Sequence, residues 1–201
     1  MLDYYKESGY RPEDFEVELS GFRNKLDINT SADGIEFNFE FKGSIDRVDK
    51  NEEGMLRVVD YKTYAKKIEP DETADGVQIQ LFTYAYGLEL QPGFKVDNVG
   101  YIRTLLPTSK SKQKEKLFNY ISLDKKYDLS KMMEHSYAKL KQACENIAKG
   151  HGTAQLTASS FDKACKFCSF KGSCGRLPNQ PKPDDADTKT IVESWKVGGK
   201  K

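Results

Sequence analysis

Two carboxylates and one ammonium could form a reactive cluster in the first third of the chain. Asp60 and Lys62 lie two residues apart, and residues at that spacing on a β-strand face the same side. Asp46 precedes them, on a segment that would pair with this strand in a hairpin. Because side chains directly across a hairpin lie about 5 Å apart, we expect the three groups to lie together.

This cluster suits a hard divalent cation and the chemistry of phosphate esters. Two neighbouring carboxylates repel each other unless a cation lies between them, and Mg²⁺ prefers oxygen ligands and retains water and phosphate in its shell. Such a metal activates water, and a lysine beside it stabilises charge in the transition state. An isolated Asp-x-Lys is usually a surface ion pair, but here Val58 and Val59 precede it, and a charge on a buried strand needs a reason.

A second pair of polar residues could reach the cluster from a helix. Gln80 and Tyr84 are one helical turn apart and therefore share a face of the predicted helix 76–90. Taken alone, Tyr84 would be interpreted as a core aromatic with a satisfied hydroxyl group.

The elements that must position these residues alternate along the chain. Within the predicted strand 35–49, residues 35–42 alternate apolar and polar side chains, which is typical of a strand. The order strands, helix, strands, helix predicts an α/β fold with a mixed sheet and helices packed on it. The predicted strands are 14–22, 35–49, 55–63, 96–104 and 116–123, and the predicted helices are 76–90 and 128–149, the last closed by Gly150.

Three of the four cysteines crowd together near the C-terminal end. Cys165, Cys168 and Cys174 have the spacing C-x₂-C-x₅-C, which is typical of zinc or iron–sulfur ligation. A fourth ligand is usually needed. Cys144 is one candidate, but it falls on the apolar stripe of helix 128–149, where a cysteine is usually a small buried hydrophobe; His151 is another.

Composition limits the class of protein. The 201 residues fit one domain. No apolar run of about 18 residues predicts a membrane span, and the N-terminus lacks the pattern of a signal peptide. A cytoplasmic protein without a membrane partner is therefore expected.

The net charge of +1 does not point to nucleic-acid binding. The lysines of a basic loop could contact phosphates or form a solvated hairpin loop: Lys110, Lys112, Lys114 and Lys116.

The motifs together resemble one enzyme family. Gly-x-Ile-Asp-Arg-x-Asp at 43–49, Asp-Tyr-Lys-Thr at 60–63 and Gln-Leu-x-x-Tyr at 80–84 are similar, in order and distance, to the RecB-like branch of the PD-(D/E)xK nucleases. The likeness is to the C-terminal nuclease domain of AddB-type helicase–nuclease subunits in particular, and it covers roughly 15–174.

The resemblance implies a restriction-endonuclease-like α/β fold and a set of site residues. Asp46, Asp60 and the backbone carbonyl of Tyr61 would bind Mg²⁺ or Mn²⁺, and Lys62 would be the catalytic lysine. Gln80 and Tyr84 would contact DNA or support the site. The implied function is metal-dependent DNA hydrolysis in double-strand-break processing and recombinational repair, with DNA and helicase–nuclease subunits as partners.

The cysteines of this family bind a [4Fe–4S] cluster, and here the sequence departs from the family. The first cluster cysteine and a histidine that joins the metal site lie upstream in the family, but no cysteine precedes Cys144 and no histidine precedes His135. We therefore expect residues 1–177 to be a nuclease domain that lacks its N-terminal helical part, with an incomplete cluster site formed by Cys165, Cys168 and Cys174. Residues 178–201 are rich in Pro, Asp and Lys and predict a flexible tail, whose end could dock through Ile191, Val192 and Trp195.

Two other functions remain open. One is a stand-alone RecB-like exonuclease of the type that serves CRISPR adaptation or phage recombination. The other is a non-catalytic, zinc-stapled DNA-binding module, against which the intact Asp46, Asp60 and Lys62 argue.

Overall fold

A mixed five-stranded sheet forms the centre of the molecule. The computed structural model describes residues 8–64, 66–104, 120–152, 157–164, 166, 168–170, 173 and 182–198. The strands are β1 (Tyr10–Glu18), β2 (Asp27–Ala32), β3 (Ile35–Glu40), β4 (Ser44–Asn51), β5 (Leu56–Lys62), β6 (Val96–Arg103) and β7 (Tyr120–Ser122). The large sheet has the order β1-β4-β5-β6-β7, and β2 and β3 form a separate two-stranded sheet. Only the β5–β6 pair is parallel among the strand pairs described.

The parallel pair requires a crossover, and helices supply it. The helices are α1 (Pro70–Ala74), α2 (Gln80–Glu89), α3 (Leu129–Ala148), α4 (Phe161–Ala164) and α5 (Ala186–Ser194). Helices α1 and α2 connect β5 to β6, α2 packs on both strands, and α3 packs on α2. The expected α/β class with a mixed sheet flanked by helices is therefore confirmed, and it is consistent with a restriction-endonuclease-like fold.

Local signals set the ends of the longest helix. The side chain of Asp128 accepts a hydrogen bond from the Lys131 N–H at 3.3 Å and so caps the start of α3. Gly150, with φ of +69°, follows its end in the left-handed conformation that favours glycine. No helix in the described part of the chain is long and apolar enough to cross a membrane.

The main core lies between the large sheet and α2. Side chains of β4, β5 and β6 meet the buried face of the helix, and α3 adds two methionines behind it. Its fully buried members include Ile45, Val58, Leu81, Phe82, Ala85, Val99 and Met132. Strand β5 therefore runs through the centre of the molecule, with Asp60 and Lys62 at its C-terminal end.

Several predicted boundaries were wrong. The expected strand 35–49 is two strands, β3 and β4, interrupted at 41–43, and β2 was not predicted at all. Helix α2 begins at Gln80 rather than at residue 76, because Gly76 adopts φ of +80° and separates it from α1. Strand β2 is polar apart from Ile28, which is buried, and β2 lies against α3.

A helix lies within the segment 178–201 that was predicted to be a flexible tail. Residues 186–194 form α5, and Val192 and Trp195 are buried in the main core. The Trp195 ring meets His135 of α3 edge-on at 5.1 Å between ring centroids. The composition indicated disorder, but the docking of these two apolar side chains offsets the entropy of ordering this short helix.

Candidate active site

The hairpin of β4 and β5 brings Asp46 close to β5. The two strands pair from Lys50 opposite Leu56 to Arg47 opposite Val59. Beyond that point the Tyr61 N–H donates a hydrogen bond to the side chain of Asp46, whose Oδ2 lies 2.7 Å away, rather than to a backbone carbonyl of β4. Asp46 is thereby fixed against the residue that lies between Asp60 and Lys62.

Asp60 and Lys62 are neighbours on one face of β5. The Lys62 ammonium nitrogen lies 2.6 Å from Asp60 Oδ2, and the Lys62 side chain is only partly buried. Asp60 pairs with Tyr101 of the parallel strand β6. The structure therefore brings Asp46, Asp60 and Lys62 to one end of β5, the arrangement that the residue spacing predicts.

The charge of Asp60 is incompletely compensated. Only 3% of the residue is exposed, and among the described residues the Lys62 ammonium, 2.6 Å from its Oδ2, is its one ion-pair partner. Burial raises the pKa of Asp60, the hydrogen bond and the charge of Lys62 oppose that rise, and the Asp46 charge adds to it. A buried carboxylate with spare acceptor capacity in a charged cluster is typical of a functional site.

The donor set fits a hard cation that keeps much of its water. Among the described residues no group of three or more His, Cys, Asp and Glu side chains could hold a metal. Asp46, Asp60 and the backbone carbonyl of Tyr61 are all hard oxygen donors, which suits Mg²⁺ or Mn²⁺. With so few protein ligands, such a site would leave positions open for water and for substrate phosphate.

Gln80 and Tyr84 face each other on α2. Tyr84 lies close to Gly43, just before β4, and neither residue is hydrogen-bonded to the carboxylates among the described residues. Gln80 Nε2 donates to the Tyr84 hydroxyl at 3.2 Å. A Cβ atom at Gly43 would lie 3.3 Å from that hydroxyl, so the absence of a side chain at Gly43 lets the Tyr84 ring approach β4. Within the described residues, no hydrogen bond links the pair to Asp46, Asp60 or Lys62.

The reverse face of the hairpin carries a second charged cluster, which the sequence motifs did not predict. Asp49 is fully buried between two guanidinium groups, with Arg47 Nη2 at 2.9 Å and Arg57 Nε at 3.0 Å from its Oδ2. The Arg57 guanidinium lies between the rings of Tyr10 and Tyr120, 4.3 and 4.4 Å from their centroids. These cation–π contacts stabilise a charge that has left water.

Tyr61 connects the two clusters, through its hydroxyl group on one side and its backbone N–H on the other. Arg47 Nη1 donates to the hydroxyl of Tyr61 at 3.3 Å, while the Tyr61 N–H donates to Asp46 on the other side. The motif at 43–49 contains Arg47 and Asp49, but it does not say which partners these charges meet.

The cysteine and lysine predictions are only partly covered by the structure. Cys168 is exposed, whereas Cys165 and Cys174 lie outside the described residues, as do Lys110, Lys112 and Lys114. Cys144 is buried in α3, and its burial raises the pKa of the thiol. Both observations favour a small buried hydrophobe at Cys144 rather than a metal ligand.

The comparison with protein families decides the affiliation. A family model described as the PD-(D/E)XK nuclease superfamily matches residues 2–175. The chain belongs to the PD-(D/E)XK nuclease superfamily. The family resemblance that the three sequence motifs indicate is thereby confirmed, and the superfamily makes the chain a nuclease.

The similarity to individual proteins is weaker or covers a smaller part of the chain than the match to the family model. The chain is 34% identical over 93 residues to an ATP-dependent helicase/deoxyribonuclease of the AddB type from Geobacillus thermodenitrificans (strain NG80-2); the match covers 42% of this chain and 7% of that protein. The chain thus spans a small part of this relative. A solved crystal structure of the protein SSO0001 aligns with 87% of this chain and 65% of its own, at 14% identity and a TM-score of 0.34, too low a similarity to bear on the fold.

Proposed function

We propose that this nuclease hydrolyses DNA phosphodiester bonds in a reaction that depends on Mg²⁺ or Mn²⁺, with Asp46, Asp60 and Lys62 as its catalytic centre. One observation carries the proposal. Asp60 is 3% exposed, and the Lys62 ammonium, 2.6 Å from its Oδ2, is its one ion-pair partner among the described residues. A carboxylate held in this state is stabilised when a cation binds it.

Each residue of the centre has a role that follows from its position. Asp46, Asp60 and the Tyr61 carbonyl would hold the metal, which supplies a Lewis acid and a more acidic bound water. The Tyr61 N–H fixes the orientation of Asp46. Lys62 would donate hydrogen bonds to the attacked phosphate and stabilise its growing negative charge.

Gln80 and Tyr84 would contact the DNA beside the reacting phosphate. Their mutual hydrogen bond leaves the exposed Gln80 amide oxygen available, and the approach of Tyr84 to Gly43 holds the pair next to the start of β4. Lys110, Lys112 and Lys114 would add phosphate contacts independent of sequence.

The proposed biological role is double-strand-break processing and recombinational repair in the cytoplasm, as part of a helicase–nuclease. The three motifs and the name of the Geobacillus relative support this role. Copurification with helicase–nuclease subunits would test it, and a protein that cuts DNA but copurifies with none of them would instead favour a stand-alone exonuclease.

We also propose that Cys165, Cys168 and Cys174 bind a [4Fe–4S] cluster. Their spacing supports this assignment. Iron and sulfide analysis with a visible absorption spectrum would test it; a protein that contains zinc and no iron would contradict it.

Cleavage of linear DNA by the protein, measured with Mg²⁺ and with EDTA, tests the metal dependence. We expect cleavage with Mg²⁺, none with EDTA, and a rate lower by at least about 10²-fold for Asp46→Asn. Cleavage that persists in EDTA, or an Asp46→Asn variant that cuts at the parental rate, would contradict the proposed function.

A further inference from the structure

A second lysine converges on the proposed active site, and no sequence motif includes it. Lys66 lies in the segment that follows β5, and its ammonium nitrogen returns to 5.0 Å from the ring centroid of Tyr101. The Lys62 ammonium lies 5.8 Å from the same centroid. Since Tyr101 pairs with Asp60 in the sheet, both ammonium groups approach the strand pair that carries Asp60.

The segment that carries Lys66 is held in place by one buried side chain. The Gln78 amide accepts the Glu69 N–H at 2.8 Å and donates to the Lys67 carbonyl at 3.0 Å. Gln78 is buried, so both bonds are shielded from water. Lys66 is therefore attached to an anchored backbone rather than to a free loop.

Lys66 has no carboxylate partner of its own among the described residues. Asp60 is already in contact with Lys62 at 2.6 Å. Glu72, whose charge also acts on Lys66, is paired with Lys163 at 2.5 Å. A half-buried lysine without an ion pair is uncommon, because burial of a charge costs free energy.

The fold keeps this cation close to another cation. Burial, and then the charge of Lys62, lower the pKa of Lys66. The face of the Tyr101 ring offsets part of this cost through cation–π attraction. Two ammonium groups that lie 5.0 and 5.8 Å from the centroid of one ring are suited to an anion with more than one acceptor oxygen, such as a phosphate.

We propose that Lys66 is a second substrate-contacting lysine, which binds a non-bridging oxygen of the DNA phosphate that Lys62 and Asp60 face. This inference rests on the proposed nuclease function. The two positive charges of Lys62 and Lys66 equal the two negative charges of Asp46 and Asp60. The charge of a bound divalent cation would therefore be available to attract the phosphate. Lys66 adds a contact that strengthens as negative charge grows on the attacked phosphate.

The neighbouring lysine offers a matched control. Lys67 has the same side chain and lies on the same anchored segment, but it is exposed, whereas Lys66 is partly buried. Removal of either charge should leave the fold intact, since loss of Lys66 relieves repulsion from Lys62 and the exposed Lys67 side chain is solvated by water. The Lys66→Arg variant keeps the charge and should retain most of the contact.

Binding of a short fluorescent DNA duplex without divalent metal, over a series of salt concentrations, tests the proposal. Loss of one phosphate contact lowers the slope of log affinity against log salt concentration by about 0.9. We expect that decrease for Lys66→Gln, little change for Lys67→Gln, and a parental slope for Lys66→Arg. With Mg²⁺, Lys66→Gln should also cut DNA at least about tenfold more slowly than Lys67→Gln.

The outcomes separate this inference from the function on which it rests. If the parental protein cuts DNA but Lys66→Gln has the parental slope, or the same slope as Lys67→Gln, the role of Lys66 is wrong and the nuclease assignment stands. If the parental protein neither cuts DNA with Mg²⁺ nor binds it, both fail. A lower melting temperature for Lys66→Gln than for Lys67→Gln would also count against the proposal, because it would give Lys66 a structural role.

Discussion

Asp49 and Asp60 are buried carboxylates of the same hairpin, and they differ in how their charge is compensated. Asp49 accepts hydrogen bonds from two guanidinium groups, each fixed by further contacts. Asp60 meets one ammonium group among the described residues, that of Lys62 at 2.6 Å. Burial of a charge therefore does not by itself mark a functional site; what distinguishes Asp60 is its unused capacity to accept.

The difference predicts opposite responses to the same substitution. Loss of the Asp49 charge would remove the buried carboxylate with which both Arg47 and Arg57 are paired. Loss of the Asp60 charge would remove an anion that the fold stabilises poorly and would leave the partly exposed Lys62 able to turn towards water. Stability should therefore depend on Asp49 and catalysis on Asp60.

The largest expected effect on stability comes from Asp49→Asn. Breaking a buried ion pair by removing one partner typically costs about 3–5 kcal/mol, and here two guanidinium groups lose their partner. Urea unfolding would measure the loss. Asp124→Asn, at an exposed turn residue paired with Lys126, is the matched control and should leave the unfolding curve unchanged. A loss below about 1 kcal/mol for Asp49→Asn would show that the charged cluster on the reverse face is not needed for stability.

Lys62→Met should have the next largest effect, and on the reaction rather than on the fold. The substitution keeps the aliphatic length and removes the cation that lies against Asp60, so that the rate of DNA cleavage should fall by about 10²–10³-fold. Lys126→Met, at an exposed surface lysine, should cut at the parental rate. If the two methionine variants cut equally fast, Lys62 has no part in catalysis.

Asp60→Asn should change stability in the direction opposite to Asp49→Asn. Burial raises the pKa of Asp60 in the folded protein, so the stability that its protonated form provides is present at low pH and is lost as pH rises through that pKa. In EDTA at neutral pH, Asp60→Asn should therefore be neutral or more stable by on the order of 1 kcal/mol.

Unfolding measured at several pH values checks the predicted difference in stability between Asp60→Asn and the parental protein. Relative to the parental protein, Asp60→Asn should gain stability between acid and neutral pH. A variant that instead loses stability over that range would mean that the ion pair with Lys62 outweighs the cost of burying Asp60.

Tyr84→Phe should have the smallest effect. It removes the hydroxyl that accepts the Gln80 hydrogen bond at a partly exposed position, so stability should stay within about 0.5 kcal/mol while DNA cleavage falls a few-fold through a higher KM. Tyr86→Phe, on the same helix with its ring stacked on Tyr137 at 4.6 Å, is the matched control. Equal cleavage by both variants would contradict a DNA contact at Tyr84.

The parts of the fold that could be predicted depend on local periodicity. Alternation along β5 places Asp60 and Lys62 side by side, and the turn of α2 places Gln80 beside Tyr84. The β2–β3 hairpin also had a local signal, because Asp33 and Gly34 have positive φ values of 51° and 79° and Asp-Gly is a favoured two-residue hairpin turn. The polar composition of β2 hid that signal.

The rest depends on contacts between residues far apart in the chain. Arg57 lies between apolar residues as a solvent-facing charge would, but it is buried against the rings of Tyr10 and Tyr120. Lys66 follows the strand without any periodic pattern, and its position depends on Gln78 and Tyr101. Residue type and spacing do not encode such contacts, so both arginines of the buried cluster and the second lysine were missed.

The most direct test of the central claim is single-turnover cleavage of linear DNA by Asp60→Asn with Mg²⁺, beside the parental protein and Asp124→Asn. If Asp60 belongs to the catalytic centre, Asp60→Asn remains folded and its cleavage rate falls by at least about 10²-fold, while Asp124→Asn cuts at the parental rate. A folded Asp60→Asn protein that cuts DNA as fast as Asp124→Asn would contradict the account.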